Sequence, residues 1–159
     1  MAGMGAGEAI VATAHAAFLV VGLVLIRVDI LEHRLPDRIV LPSAIGLTAL
    51  LAVAAAMAGD LQPAGRAALG GLTLMGLYLA LRAAHPAGLG GGDVKLAALV
   101  GVFLGWHGWM PLVVGAGAAF VLGAAFATVM MLAGRAGRDT HIAFGPWMIV
   151  GAWAALLVT

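Results

Sequence analysis

The stretch "AGLGGGDVKLAALVGVFLGW", residues 87–106, places one aspartate, Asp93, after three consecutive glycines and directly before an apolar segment. That segment, about residues 94–106, is too short to cross a bilayer alone, because a spanning helix needs roughly 20 apolar residues. Irregular backbone at membrane depth is tolerated only beside protein or in a watery cavity. We therefore predict a helix whose glycine-rich start is recessed among other helices.

The composition is that of an integral membrane protein. Of 159 residues, 64% are hydrophobic and 9% are charged, whereas soluble domains carry about a quarter charged residues. The net charge of +1 gives no basis for nucleic-acid binding, and the absence of cysteine excludes disulfides and thiolate zinc sites. We expect an all-α polytopic membrane protein with about six transmembrane helices, folded as a single domain over residues 1–159 and in contact with the lipid bilayer.

Six apolar segments follow one another with short connections, at about residues 9–28, 39–58, 66–84, 94–106, 110–133 and 142–158. Seven of the eight basic residues fall on the side that holds the loops after spans one, three and five: Arg27, Arg34, Arg38, Arg82, Lys95, Arg135 and Arg138. Arg66 falls on the other side. The positive-inside rule makes the side with seven basic residues cytoplasmic, so both termini are predicted to face outward.

Two acids, Asp29 and Asp93, lie at membrane depth. Asp29 follows the apolar run "FLVVGLVLIRV" (18–28), and Asp93 opens the fourth span. An ionisable side chain within the membrane costs free energy. Its presence there indicates a function that it performs together with a second polar or charged group. Asp29 closes the first span while Asp93 opens the fourth, so the topology places both on the cytoplasmic face, where they can meet.

Structural roles compete with this interpretation. Asp29 could pair with Arg27 or Arg34, and Asp93 could simply cap the fourth helix. A cap needs only one permissive residue before it, whereas Gly88, Gly90, Gly91 and Gly92 all precede Asp93. A backbone without side chains allows close approach of an extended peptide. The stretch lacks the order of residues that a phosphate-binding loop requires.

A facing pair of aspartates suits general acid–base hydrolysis. One ionised carboxylate takes a proton from water while its protonated partner donates one to the scissile carbonyl or the leaving amine. Two close carboxylates in poor hydration share one proton. Because the fourth helix presents its positive N-terminus to Asp93, we hypothesise that Asp93 is the charged member and Asp29 the protonated one.

Three motifs occur in order along the chain. "GGGDVKLAALVGVFLGW" (90–106) resembles the glycine-x-glycine-aspartate motif of type IV prepilin peptidases, with Gly90, Gly92 and Asp93 at the motif positions and Lys95 just after. "VDILEHRLPDRIVLP" (28–42) is similar to the family's other aspartate segment, with Asp29 as its acid and Leu35, Pro36 and Asp37 as its downstream signature. "IAFGPWMIVG" (142–151) resembles the last-span motif, and its Gly145 and Pro146 are predicted to lie beside the site.

The resemblance implies a membrane aspartic endopeptidase with Asp29 and Asp93 as its catalytic residues. It would remove short basic leaders from type IV prepilins or pseudopilins at the cytoplasmic face of a bacterial or archaeal plasma membrane, in type IV pilus assembly and protein secretion. The negative charges of three further acids on the same side would attract a basic leader peptide: Glu32, Asp37 and Asp139. Because the paired cysteines of the larger bifunctional members are missing, we expect the compact form without N-methylation.

Other residues are assigned structural roles. The histidines show no metal-ligand spacing, so we expect neither a metal nor a cofactor, and His15 is expected to bond a neighbouring helix. Lys95 either tunes the aspartates or extends to lipid phosphates, and the second is favoured. Gly101 and Gly105 favour close packing within the chain over dimerisation, although a homo-oligomer remains open.

Two alternatives stay open. A presenilin-like intramembrane protease also has a catalytic aspartate preceded by glycine. However, the tyrosine-aspartate and proline-alanine-leucine motifs of that group are not found in this sequence. A small transporter could use Asp29 and Asp93 as a proton or cation relay. The two classes differ in whether the carboxylates open to the cytoplasmic surface or line a path toward the other side.

Overall fold

The computed structural model describes residues 5–32, 34–85, 89–135 and 143–159, and within these residues the chain forms six α-helices and no strand. They are α1 (Ala6–Glu32), α2 (Asp37–Ala58), α3 (Gln62–Ala84), α4 (Gly91–His107), α5 (Trp109–Leu132) and α6 (Gly145–Val158). Each predicted span corresponds to one helix, so the all-α prediction is confirmed. Gly88, Arg138, Asp139 and the predicted start of the last span at residue 142 lie outside the described residues.

Proline and glycine mark the helix boundaries. Pro36 precedes α2 in an extended conformation, and Gly59 follows its last residue with a φ of 73°, the left-handed geometry that glycine adopts without strain. Pro63 and Pro146 lie in the first turns of α3 and α6, where a missing N–H costs nothing. Gly90 precedes α4. Proline and glycine therefore mark where α2, α3, α4 and α6 begin and where α2 ends.

Four helices, α1, α2, α3 and α5, are long and apolar enough to cross a membrane, with 27, 22, 23 and 24 residues. α4 has 17 residues and α6 has 14. Large apolar side chains such as Leu23, Ile45, Leu72 and Val121 are exposed on the long helices, as expected for surfaces that face lipid. The side of the membrane that each helix end faces remains a prediction.

The short helix α4 lies at the centre of the bundle. Eleven of its 17 residues are buried, and it contacts α2, α3, α5 and α6. It also meets α1, because the rings of Phe18 and Phe103 stack with centroids 3.8 Å apart. A helix that is apolar on all sides is expected in such a buried position. The prediction that the fourth span is shielded by protein is therefore confirmed.

Glycines bring α3 and α4 into backbone contact. A Cβ on Gly70 would lie 2.6 Å from the carbonyl oxygen of Gly101, and a Cβ on Gly105 would lie 2.8 Å from that of Arg66. Only glycine permits this spacing between helices. The expected packing of Gly101 and Gly105 within the chain is thus confirmed, whereas the oligomeric state is not tested.

The end of α4 remote from Asp93 is held by side chains from two neighbouring helices. Arg66 of α3 donates from Nε to Gly105 O over 2.9 Å and from Nη2 to Trp106 O over 2.7 Å. These bonds satisfy carbonyls that a helix end leaves unpaired. His15 of α1 hydrogen-bonds through Nε2 to Nε2 of His107 over 2.9 Å, so the expected bond from His15 to a neighbouring helix is confirmed.

Candidate active site

Asp29 and Asp93 are the charged side chains that are buried among the described residues, with 5% and 8% of their surface exposed. Asp29 lies in the last turn of α1, and Asp93 lies in the first turn of α4. The two carboxylates are close enough for their charges to interact. The structure therefore brings together the two acids that the topology argument paired.

Asp93 bonds the start of its own helix. The N-cap of α4 is Gly90, and its backbone N–H donates to Oδ2 of Asp93 over 3.0 Å. Asp93 is thus the third residue of the helix and reaches back to the cap, as the acidic member of a capping box does. Its capping role differs from the N-cap position considered from the sequence, and it leaves the other carboxylate oxygen for additional contacts.

Asp29 is held by the start of a different helix. The backbone N–H of Gly145, at the beginning of α6, donates to Oδ2 of Asp29 over 3.0 Å. A Cβ on Gly145 would lie 2.6 Å from that oxygen and 3.3 Å from Cδ2 of Leu96 on α4. Gly145 is therefore beside the site, as predicted. From the sequence, a positive helix end was assigned to Asp93 alone, and the positive end of α6 beside Asp29 was missed.

Atoms of the same chain lie close to the glycine run. A Cβ on Gly90 would meet Oδ2 of Asp93 at 3.2 Å, one on Gly91 would meet Nη1 of Arg82 at 2.6 Å, and one on Gly92 would meet Cβ of Leu35 at 2.7 Å. The glycines thus allow Arg82 and Leu35 to pack onto the turn that carries Asp93. Approach of a substrate to Gly90 and Gly92 remains a prediction, and it would require these side chains to shift.

An ion pair joins the two aspartate-containing segments. Nζ of Lys95 lies 2.6 Å from both Oδ1 and Oδ2 of Asp37, the first residue of α2. Pro36 precedes it, and Leu35 is buried. The favoured expectation that Lys95 extends to lipid phosphates is wrong in this structure, because its ammonium binds Asp37. Asp37 is therefore already paired, whereas Glu32 is exposed at the end of α1.

Two residues of α3 that the sequence argument did not place at the site lie near Asp93. Tyr78 is fully buried and close enough to Asp93 for an electrostatic interaction. The charges of Arg82 and Asp93 are also close enough to interact. Tyr78 and Arg82 are four residues apart and so lie on one face of α3. The spacing of four residues continues from Gly70 through position 74 to Tyr78 and Arg82. This helical repeat is the signal in the sequence that could have placed the two residues on the face that packs on α4.

A cavity of about 1040 Å³ lies at the opposite end of α4. It is lined by the start of α1, the end of α2 and Trp106, and neither Asp29 nor Asp93 is among its lining residues. The described residues contain no group of three or more His, Cys, Asp or Glu side chains placed to hold a metal.

Comparison with known proteins identifies the family. The model of the type IV leader peptidase family matches residues 16–158. The chain belongs to this family. Its match thus includes both aspartates, the glycine run and the start of α6, so the recognition made from the three motifs is confirmed.

Curated relatives share the same description. This family member is 33% identical over 132 residues to a prepilin leader peptidase/N-methyltransferase of Stutzerimonas stutzeri, covering 82% of this chain and 44% of the relative. A protein of that name from Aeromonas salmonicida (strain A449) is 33% identical over 137 residues, with the same shares, 82% and 44%. The chain therefore spans less than half the length of these relatives. No solved structure matches it significantly.

Proposed function

We propose that the protein is a membrane-embedded aspartic endopeptidase that removes the short basic leader from type IV prepilins or pseudopilins. The observation that carries this proposal is the pair of buried carboxylates, Asp29 and Asp93, each bonded by a backbone N–H at the start of a helix. Buried acids at membrane depth cost free energy and are kept for function. Family membership supports the same reaction class.

The mechanism is general acid–base hydrolysis. The ionised carboxylate takes a proton from water, and the hydroxide oxygen bonds to the carbonyl carbon of the peptide. The protonated carboxyl gives its proton to the carbonyl oxygen. As the C–N bond breaks, the first carboxyl gives its proton to the leaving amine and the second regains one from the hydroxyl group. The pair thus ends with the one proton with which it began.

The hydrogen-bond donors around Asp29 and Asp93 are more alike than the hypothesis of a charged Asp93 and a protonated Asp29 assumes. Both Oδ2 atoms accept a backbone N–H at a helix N-terminus, an arrangement that stabilises negative charge. We leave the assignment of acid and base to experiment. The active site would face the cytoplasm of a bacterial or archaeal plasma membrane, where the surplus of basic residues predicts the ends of α1 and α3 to lie.

The relay alternative has less support. Between the aspartates and the cavity at the other end of α4 lie Leu99, Val100 and Phe103, all of them buried apolar residues. Within the described residues, α4 therefore offers no polar path from one face to the other. A presenilin-like protease would use the same two acids, so substrate choice distinguishes it from the proposed function.

The test follows leader removal from a purified prepilin by the full chain in liposomes. Asp29→Asn and Asp93→Asn should each lower the rate by about 10²–10⁴-fold, the usual contribution of a general acid or base. Asp60→Asn is the matched control, because Asp60 is exposed and, among the described residues, its side chain accepts a hydrogen bond only from the backbone N–H of Gln62. Cleavage at the wild-type rate by the Asn double variant would reject the proposal.

A further inference from the structure

Arg82 has a buried donor without a partner. It lies in the last turn of α3, and its Nη1 atom is shielded from solvent with no hydrogen-bond acceptor among the described residues. A buried unpaired donor destabilises the folded protein, and more so when the group is charged. A guanidinium cannot shed its proton to avoid this cost. A charged donor held in such a position favours a bound substrate as its acceptor, since none of the described residues supplies one.

The helix register directs Arg82 toward the site. The face of α3 that packs on α4 is marked by the buried residues Gly70, Gly71, Leu74 and Tyr78. Arg82 continues this stripe by one more turn, four residues after Tyr78. It therefore reaches the start of α4, where Nη1 lies 2.6 Å from the place that a Cβ of Gly91 would occupy.

Asp93 does not take up this donor. The charges of the two groups interact, yet the ion pair found within 4.0 Å among the described residues is that of Lys95 with Asp37. Oδ2 of Asp93 accepts instead from Gly90. The guanidinium is thus held beside the acid, and no described residue accepts the N–H of its Nη1 atom.

We propose that Nη1 of Arg82 donates a hydrogen bond to the carbonyl oxygen of the peptide bond being cut. This role rests on the proposed function. As water adds to the carbonyl carbon, that oxygen gains negative charge before the protonated aspartate delivers its proton. A fixed, charged donor stabilises this charge more than it stabilises the neutral substrate. Arg82 is then a catalytic residue that contacts the reacting atoms, with Gly91 providing the space for its guanidinium.

The first test compares kcat and KM for Arg82→Gln and Arg82→Lys in liposomes. Loss of one such donor lowers kcat by about 10²–10³-fold with KM nearly unchanged. Arg82→Gln should show this full loss, whereas Arg82→Lys keeps the positive charge and should recover part of the rate. Arg135→Gln is the control, since Arg135 is exposed after the end of α5 and is predicted to lie on the same side of the membrane.

A second variant moves the guanidinium without removing it. Gly91→Ala places a methyl group 2.6 Å from the present position of Nη1. The guanidinium must then move, and because the arginine side chain is flexible, the fold should survive. We expect Gly91→Ala to lower kcat as well, and the double variant Arg82→Gln/Gly91→Ala to be no slower than Arg82→Gln alone, as for two residues that act through one contact.

The outcomes separate this role from others. A raised KM with unchanged kcat in Arg82→Gln would overturn the proposed role. Full recovery of kcat in Arg82→Gln at another pH would also overturn it, because Arg82 would then only set the charge of Asp93. Wild-type kcat in Arg82→Gln with inactive Asn variants of Asp29 and Asp93 would reject this role alone. Undiminished cleavage by those Asn variants would reject the proposed function and this role with it.

Discussion

Gly145 donates its backbone N–H to Oδ2 of Asp29 over 3.0 Å, so the start of α6 holds a carboxylate in the last turn of α1. The contact joins residues 116 positions apart in the chain. It also places the N-terminus of α6 at one acid while the N-terminus of α4 holds the other. The two carboxylates are therefore held by α1, α4 and α6, and a change at Gly145 should act on Asp29 directly.

Gly145→Ala should lower kcat for leader removal by about 10²-fold, because small misplacements of a reacting group have effects of this size. The new Cβ would lie 2.6 Å from Oδ2 of Asp29 and 3.3 Å from Cδ2 of Leu96. The carboxylate would have to turn away from its present position. Gly117→Ala in α5 is the control, because no atom lies within 4 Å of its Cβ position. An unchanged kcat in Gly145→Ala would show that this contact does not position Asp29.

The ion pair between Lys95 and Asp37 should stabilise the protein modestly. The two side chains are 37% and 56% exposed, and pairs of this kind contribute about 0.2–1 kcal/mol. Lys95→Ala and Asp37→Ala should each lower the free energy of unfolding in detergent micelles, while the double variant loses less than the sum. The exchanged pair Lys95→Asp/Asp37→Lys should regain part of the loss. Strictly additive losses would mean that the contact contributes nothing.

The sequence predicts the pairing of Asp29 and Asp93 because topology alone decides it. Alternating spans place the end of the first helix and the start of the fourth on one face, whatever the arrangement of helices around them. The same reasoning could not assign a neighbour to Asp29. Gly145 is the neighbour because α6 lies beside α1 in the bundle. The hydropathy of the sequence shows which segments span the membrane, but it does not show which helices lie side by side.

The glycine run shows a second limit of prediction from sequence. Missing side chains indicate close approach, but they do not identify what approaches. Here Gly91 faces the guanidinium of Arg82 and Gly92 faces Leu35. Both partners come from other segments of the chain, whose side chains lie at the turn because α2 and α3 pack on α4. A pattern of glycines therefore predicts a contact more securely than it predicts a substrate.

Arg66 should stabilise the end of α4 that is remote from the aspartates. Arg66→Ala removes two hydrogen bonds to the carbonyls of Gly105 and Trp106. Bonds from a charged donor contribute about 1.5–3 kcal/mol each, so thermal unfolding in micelles should occur at a clearly lower temperature. Cleavage well below that temperature should be unaffected. Arg27→Ala, on an exposed surface of α1, should leave the unfolding temperature nearly unchanged. Equal effects of both variants would contradict the capping role.

Gly101→Ala should destabilise the bundle more than any exposed glycine substitution, because its added methyl group meets backbone that cannot yield. The Cβ would lie 2.8 Å from Cα of Gly71 and would also clash with the carbonyl oxygen of Gly70. Overpacking of this kind costs about 1–3 kcal/mol. Gly76→Ala, in α3 with no atom within 4 Å of its Cβ position, should instead be neutral or stabilising.

Because the glycine face is used within the chain, Gly101→Ala should lose stability without changing its oligomeric state, as sedimentation in detergent would measure. A change of oligomeric state at unchanged stability would show that Gly101 serves an interface between copies.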